Sequence, residues 1–331
     1  MTKIGDIKRS FFCYYCFDLS IDSAGEADLI NSFVGVTDKH WFSLLRSQQG
    51  IDEVNFWLPS GRVFRALKPG ELFLFKLHHP DNFIVGGGLF AHSTILPVSL
   101  AWEAFGIKNG AASLADLREK IDKYRRQESD PYQDYQIGCI LLEQPFFLPE
   151  ERWIPAPADW PKNIVSGKTY DLSVEPGATI FRQLNAQQIQ QNLVREVSPR
   201  YGEPVLVQPR LGQGSFRVLV TDAYERRCAI SSERTLPVLE AAHIKPYSEL
   251  GEHKVSNGIL LRQDIHTLFD KGYLTITPDL KIEISRRIRE EFENGRDYYK
   301  YNGQPMRPPQ NWMDRPSREY LAWHNETVFR G

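Results

Sequence analysis

The chain has 331 residues, of which 41% are hydrophobic and 25% charged, and its formal net charge is −2 at pH 7. This composition is that of an ordinary water-soluble globular protein. The sequence contains no run of 18 or more apolar residues that could span a bilayer. The length favours two domains, each with its own hydrophobic core, over one. The near-neutral charge excludes a histone-like, strongly basic mode of nucleic-acid binding.

The first residues, MTKIGDIKRSFF, lack the long apolar segment of a secretory signal, so we expect a cytoplasmic protein without a membrane partner. The segment that follows contains a Cys-x-x-Cys pair, Cys13 and Cys16. No second pair exists to complete a zinc ribbon. We interpret the pair as buried thiols on an aromatic-rich strand, with half a metal site or a redox pair as the alternative.

Residues from about 11 to 142 alternate between β-branched or aromatic runs and turn signals. The pattern predicts strands over residues 33–37, 54–57, 71–77 and 83–86, joined in one mixed, barrel-like sheet. Two helices are expected between them. Asp38 is placed to cap a helix over residues 39–45, and Ser113 opens a Ser-x-x-Asp start before residues 117–121.

Six prolines between about residues 145 and 180 mark a connecting region. We therefore divide the chain into a first domain, residues 1–183, and a second, residues 184–331. A helix rich in Gln and Asn is expected over residues 185–197.

The most informative run reads as strand, loop, strand and short helix, and it carries His243, Asn257 and His266 at intervals of 14 and 9 residues. Hydrolysis of a phosphodiester needs a base for water and a divalent cation for the developing charge. An imidazole titrates near neutrality, which suits His243 as the base. His266 and Asp270 lie four residues apart on a helix and so project together, which suits a cation.

Asn257 is placed to bond both sides of the loop and so to orient His243. Each of these residues alone would more readily be a core histidine, a turn asparagine or a helix-face histidine. The three together, at this spacing, favour chemistry.

The segments PRLGQGSFRVLVTDAYERRCAI, AAHIKPY and SNGILLRQDIHTLFDKG look like the HNH domain of restriction endonucleases, over roughly residues 205–330. The resemblance implies a ββα-metal fold, with His243 as general base, Asn257 as structural asparagine and His266 as metal ligand. It also implies a divalent cofactor, Mg²⁺ or Mn²⁺. Many HNH nucleases have a metal-binding residue just before the base, and here that position is Ala242. Asp264, Asp270 or water would then complete the coordination.

Four basic residues flank the motif, and we expect some of them to contact DNA phosphates, the alternative being solvated surface charges. They are Arg210, Arg217, Lys245 and Arg262.

The first domain shows many aromatic residues and no catalytic cluster. Its runs GVTDKHWF, VNFWLPSG, KPGELFLFKL and FIVGGGLF resemble the PUA-like superfamily, which includes SRA, EVE and ASCH modules. The resemblance implies a pocket that stacks an extruded modified base. Asp38, Trp41 and Trp57 are the pocket candidates, and for either tryptophan a place in the core is the alternative.

The expected fold class is α+β, with a PUA-like mixed β-barrel domain followed by a ββα-metal HNH nuclease domain. The expected function is a modification-dependent restriction endonuclease that cuts double-stranded DNA carrying 5-methylcytosine or 5-hydroxymethylcytosine. Because one HNH centre serves one strand, we expect a homodimer. The alternatives are a nuclease that reads unmodified nucleic acid and a non-catalytic DNA-binding protein.

Overall fold

The computed structural model describes residues 31–125, 133–161, 164, 166–194, 212–249 and 251–331. The Cys-x-x-Cys pair and Arg210 lie outside the described residues. No helix in the described ranges is both long enough and apolar enough to cross a membrane.

The first part of the chain forms a mixed sheet with helices. Its strands are β1 (Asn31–Thr37), β2 (Glu53–Leu58), β3 (Leu72–Leu77), β4 (Phe83–Pro97), β5 (Gln136–Phe147), β6 (Ile154–Pro155) and β7 (Gly167–Asp171). Its helices are α1 (Lys39–Ser47), α2 (Val98–Phe105), α3 (Leu114–Asp122) and α4 (Gly177–Val194).

The strand order is β2-β5-β4-β3-β1-β7, with β6 beside β4. The β1–β3 pair is parallel and the other pairs are antiparallel, so the predicted mixed α+β class is confirmed. The sheet is not a closed barrel in the described part of the chain, because β2 and β7 end the order and no ladder joins them. Alternation along a strand predicts which face is buried but not which strand is its neighbour.

The two predicted helix starts are confirmed. The Asp38 carboxylate accepts from the Trp41 amide at 2.8 Å, and the Ser113 hydroxyl accepts from the Asp116 amide at 3.1 Å. Such caps satisfy amides that have no partner within the first turn of a helix. The predicted domain border near residue 183 falls inside α4.

Aromatic and aliphatic side chains cover both faces of the sheet. One face packs against α1 through Trp41, Phe42, Phe56, Phe73 and Phe75. The other packs against α2 and α3 through Trp57, Ala101, Phe105, Leu117, Cys139 and Leu141.

The second part of the chain contains the predicted strand-loop-strand-helix unit. Its elements are α5 (Gln213–Ala223), β8 (Leu239–His243), β9 (Gly258–Arg262), α6 (Gln263–Asp270), β10 (Leu274–Ile276), β11 (Ile282–Ile284), α7 (Arg287–Phe292), α8 (Arg296–Tyr299) and α9 (Arg318–Thr327). Strands β8 and β9 pair antiparallel with His243 opposite Gly258, and α6 follows β9 directly. The predicted ββα arrangement is therefore confirmed.

A buried carboxylate joins the two parts. Glu53, at the start of β2, is fully buried and accepts from the amides of Gly214 and Ser215, each at 2.8 Å. These amides belong to the first turn of α5, whose N-cap residue Gly212 has no side chain to bond them. A carboxylate at this position satisfies unpaired N–H groups and interacts favourably with the helix dipole. Lys108 lies 3.0 Å from the same carboxylate.

A second buried carboxylate, Glu143, faces Glu53 across the β2–β5 ladder. Neither of its oxygens has a hydrogen-bond partner among the described residues. Burial, and then the charges of Glu53 and Asp52, raise the pKa of Glu143 from 4.5 to about 7. The folded state therefore keeps this proton at pH values where the unfolded chain has lost it.

We predict that Glu143 makes stability fall as pH rises from about 4.5 to about 7. Glu143→Gln, which cannot ionise, should raise the melting temperature more at pH 8 than at pH 5, by ~2–4 °C for each kcal/mol of destabilisation removed. Thermal melts across this range measure the difference. The exposed Glu150→Gln is the matched control, and a Glu143→Gln effect independent of pH would contradict the interpretation.

Candidate functional site

Two of the three predicted catalytic residues, His243 and His266, line a cleft of about 740 Å³ between the two parts of the chain. The second part contributes His243, His266 and Asp270, and the first contributes Glu53, Glu103 and Lys108. Asn257 is fully buried beside the cleft.

His243 is the last residue of β8, and its ring lies against the face of Phe216, with centroids 3.9 Å apart and planes 10° from parallel. Its Nε2 lies 3.3 Å from His253 Nδ1. Burial, and then the nearby charges of His253 and His266, lower the pKa of His243 to about 4. The imidazole is therefore unprotonated at neutral pH and can accept a proton, but it is a weaker base than the neutral-range imidazole expected from the sequence.

Asn257 bonds both sides of the loop that follows β8. Its Oδ1 accepts from the Lys245 amide, and its Nδ2 donates to the carbonyls of Lys245 and Glu252, each at 2.9 Å. The Ile244 amide also donates to the Asn257 carbonyl at 2.9 Å. These bonds fix the chain immediately after His243, as expected from the sequence.

His266 lies on α6 between two carboxylates. Its Nδ1 is 2.7 Å from Glu240 Oε2, and its Nε2 is 3.3 Å from Asp270 Oδ2. Burial lowers the pKa of His266, but the bonds and charges of Asp270 and Glu240 outweigh it and raise the pKa above its ordinary value.

The distance between His266 and Asp270 shows whether the two residues fit a divalent cation. Two ligands that share one ion with bonds of ~2.1 Å lie about 3 Å apart at adjacent octahedral positions, so His266 Nε2 and Asp270 fit such a pair. A metal-binding histidine commonly donates its other ring N–H to a carboxylate, the position that Glu240 occupies. Among the described residues, no group of three or more His, Cys, Asp or Glu is arranged to hold a metal. The fit is therefore to an ion completed by water or DNA oxygens.

Asp264, a predicted alternative ligand, does not lie at His266. Its carboxylate bonds the Arg262 guanidinium at 2.6 and 2.8 Å and accepts from the Tyr298 hydroxyl at 3.1 Å. It stands two residues before His266 on α6, which directs it away from the face that His266 and Asp270 share. The second carboxylate beside His266, together with Asp270, is instead Glu240, which the sequence analysis missed.

The predicted phosphate-binding residues lie in different environments. Arg217 lines the cleft and pairs with Glu103 at 2.8 Å. Lys245 lies over the ring of Trp323, with Nζ 5.5 Å from the centroid. Arg262 is engaged by Asp264.

The predicted base-pocket residues also come together, in a separate pocket of about 320 Å³. Asp38, Trp41 and Trp57 line it, together with His78 and Tyr124, which the sequence analysis missed. The rings of His78 and Tyr124 are within 6° of parallel, with centroids 6.3 Å apart.

Three of the rings that line this pocket differ in exposure. Trp41 is 2% exposed and packs edge-on against Phe56 and Phe75, so its ring belongs to the core. Trp57 is 9% exposed and its indole N–H donates to the Asn109 carbonyl, whereas Tyr124 is 47% exposed. Tyr124 is therefore the ring most accessible to a ligand.

Residues 228–277 match the model of a family described as HNH endonuclease. This range contains His243, Asn257 and His266. The chain thus contains an HNH endonuclease domain at residues 228–277, and the enzyme class predicted from the sequence is confirmed. Such a domain acts on DNA, and HNH nucleases generally use a divalent metal ion.

Two solved structures are similar to parts of the chain at low sequence identity. The ASCH protein from Zymomonas mobilis is 12% identical, with 47% of this chain and 94% of that chain covered and a TM-score of 0.31. The modification-dependent TagI restriction endonuclease is 13% identical, with 85% and 77% covered and a TM-score of 0.28. TM-scores this low do not establish a common fold. No curated protein sequence matches the chain significantly.

Proposed function

We propose that this protein is a modification-dependent restriction endonuclease. One observation carries the proposal: the chain combines an HNH centre with a second, separate pocket that offers aromatic rings and a carboxylate. The cleft serves cleavage, and the pocket serves recognition. The proposed domains are the predicted ones, residues 1–183 for recognition and 184–331 for cleavage.

In the cleft, His243 accepts a proton from the attacking water, because its imidazole is unprotonated at neutral pH. Phe216 and the bonds of Asn257 hold that ring in place. His266 and Asp270 would hold the divalent ion, Mg²⁺ or Mn²⁺, which would supply stabilisation of negative charge at the phosphate and the leaving oxygen. Glu240 orients the His266 ring. Arg217, Lys245 and Arg262 are the described candidates for phosphate contacts. Arg262 is the weakest because Asp264 bonds it twice, whereas one bond joins Arg217 to Glu103.

In the pocket, an extruded cytosine stacks on Tyr124, with Trp57 and His78 around it. One oxygen of Asp38 caps α1, which leaves the other to accept from the exocyclic amine of the base. A substituent at the cytosine C5 position, such as a methyl or hydroxymethyl group, adds contact area that unmodified cytosine lacks. Because each chain has one HNH centre and duplex cleavage needs two cuts, two copies act together on the DNA.

The base assignment is tested with His243→Ala. The variant should lose cleavage by a factor of about 100 or more and still bind DNA, because the imidazole acts on water and not on the charge of the DNA. Gel-based cleavage and fluorescence anisotropy measure the two effects. The exposed His40→Ala is the control, and wild-type cleavage by His243→Ala would remove the assignment.

The metal site is tested with two carboxylates of the same helix. Asp270→Asn should weaken Mn²⁺ binding about 10-fold or more and reduce cleavage, whereas Asp264→Asn, which removes the partner of Arg262 instead, should leave Mn²⁺ affinity within about twofold. Electron paramagnetic resonance of added Mn²⁺ gives affinity without relying on activity. Equal effects of the two variants would contradict the assignment of Asp270.

The recognition pocket is tested with Tyr124→Ala. Losing one stacked ring costs about 1–3 kcal/mol, so affinity for modified DNA should fall roughly tenfold. Affinity for unmodified DNA, which depends on phosphate contacts, should hardly change. The 75% exposed Trp312→Ala is the control. If Tyr124→Ala weakens both DNAs equally, the pocket does not read the modification, and a nuclease with a reader for unmodified nucleic acid becomes the better account.

A further inference from the structure

Strand β2 contacts both proposed sites. Its last residues, Phe56, Trp57 and Leu58, line the 320 Å³ pocket. Its first residue, Glu53, bonds the first turn of α5 and lines the catalytic cleft. One six-residue strand therefore joins the recognition pocket to a helix of the nuclease part.

Helix α5 is held closely between the two parts. A Cβ at Gly214 would lie 2.5 Å from the Ala104 carbonyl oxygen and 2.8 Å from the Phe105 ring, both on α2. On the other side, a Cβ at Gly258 would lie 2.4 Å from Val220 and 3.0 Å from Phe216, both on α5. The helix has little room to shift without breaking contact with one part.

The residue that follows the two bonded amides is Phe216, and its ring lies against the His243 imidazole at 3.9 Å between centroids. A near-parallel ring at this distance restricts tilting of the imidazole. Phe216 is itself 1% exposed and enclosed by the core of the nuclease part. The position of the imidazole thus depends on Phe216, and that of Phe216 on the first turn of α5.

We propose that Glu53 and Phe216 are positioning residues for His243: the carboxylate from the first part of the chain fixes the start of α5, and α5 holds Phe216 against the imidazole. The proposal rests on the proposed role of His243 as the base. It assigns the recognition part a direct contribution to the nuclease centre, because α5 has no side-chain N-cap of its own.

The energetics favour such a role for Glu53. A buried carboxylate is stable only when its oxygens are bonded, and Glu53 has two backbone amides and Lys108 as partners. Gln at this position offers one acceptor and places an NH₂ group against a helix amide. The first turn of α5 would then loosen, and a shift of ~1 Å in a catalytic group can lower a rate by about 100-fold.

The test uses full-length Glu53→Gln, Phe216→Leu and the double variant. Single-turnover cleavage at saturating DNA and metal gives the rate of the chemical step, and anisotropy and Mn²⁺ titration give the two affinities. Each single variant should lower the rate about 10-fold or more, with both affinities within about twofold. The double variant should be no slower than the slower single variant, because both act through the same imidazole.

The matched control is His92→Gln. His92 also joins the first part to α5, through Asp222 at 3.0 Å, but at the other end of the helix from Phe216. It should cleave within about twofold of wild type, which separates positioning of the base from general weakening of the interface.

Three results would overturn the proposal: wild-type rates in both single variants, losses that appear only in DNA or metal affinity, or losses in the double variant that multiply. If Glu53→Gln does not fold, Phe216→Leu decides alone, and a wild-type rate there overturns the proposal. Measuring His243→Ala in parallel separates failure of the base assignment from failure of the positioning role. An active His243→Ala removes the base assignment, whereas an inactive one beside an active Phe216→Leu removes only the positioning role.

Discussion

The carboxylate of Glu53 accepts two amide hydrogen bonds from the first turn of α5, and this contact ties the mixed sheet to the nuclease part. A fully buried charge is costly unless every oxygen finds a partner, and here the helix amides and Lys108 supply them. Burial first, and then the charges of Glu53 and Asp52, raise the pKa of the adjacent Glu143, so a second negative charge is disfavoured at this edge of the sheet. Helix α5 thus explains why a carboxylate occupies position 53: its first two bonded amides need an acceptor.

The two histidines of the nuclease centre show how their surroundings divide the chemistry. His243 is partly buried against the Phe216 ring, and burial first, then the nearby charges of His253 and His266, favour its neutral form. His266 is held between Glu240 and Asp270, which favour a positive charge at that place. A neutral imidazole suits a base, and a position that attracts positive charge suits a cation. In the proposed mechanism the same type of side chain takes two tasks in one cleft because the neighbouring residues differ.

Sequence alone could predict the local parts of this site. The ββα unit and the bonds of Asn257 follow from spacing within about 30 residues, and helical periodicity places His266 and Asp270 on one face. The same periodicity directs Asp264 elsewhere, so that alternative could have been rejected from the sequence.

Contacts between distant segments were not predictable in this way. Glu240 approaches His266 only because β8 pairs with β9, and Tyr124 and His78 reach the proposed recognition pocket from segments far apart in the chain. The capping of α5 by Glu53 spans 161 residues and has no local signal. The open strand order likewise depends on which strands pair, whereas alternation shows only which face each one buries.

The central claim, that recognition of a modified base directs cleavage by the HNH centre, is tested most directly with one plasmid in three forms. The plasmid is prepared unmodified, with 5-methylcytosine, or with 5-hydroxymethylcytosine. Each form is incubated with the full chain and Mg²⁺ or Mn²⁺. The account predicts double-strand cleavage of at least one modified form, with the unmodified plasmid left intact at the same enzyme concentration. Equal cleavage of the modified and unmodified plasmids would contradict it.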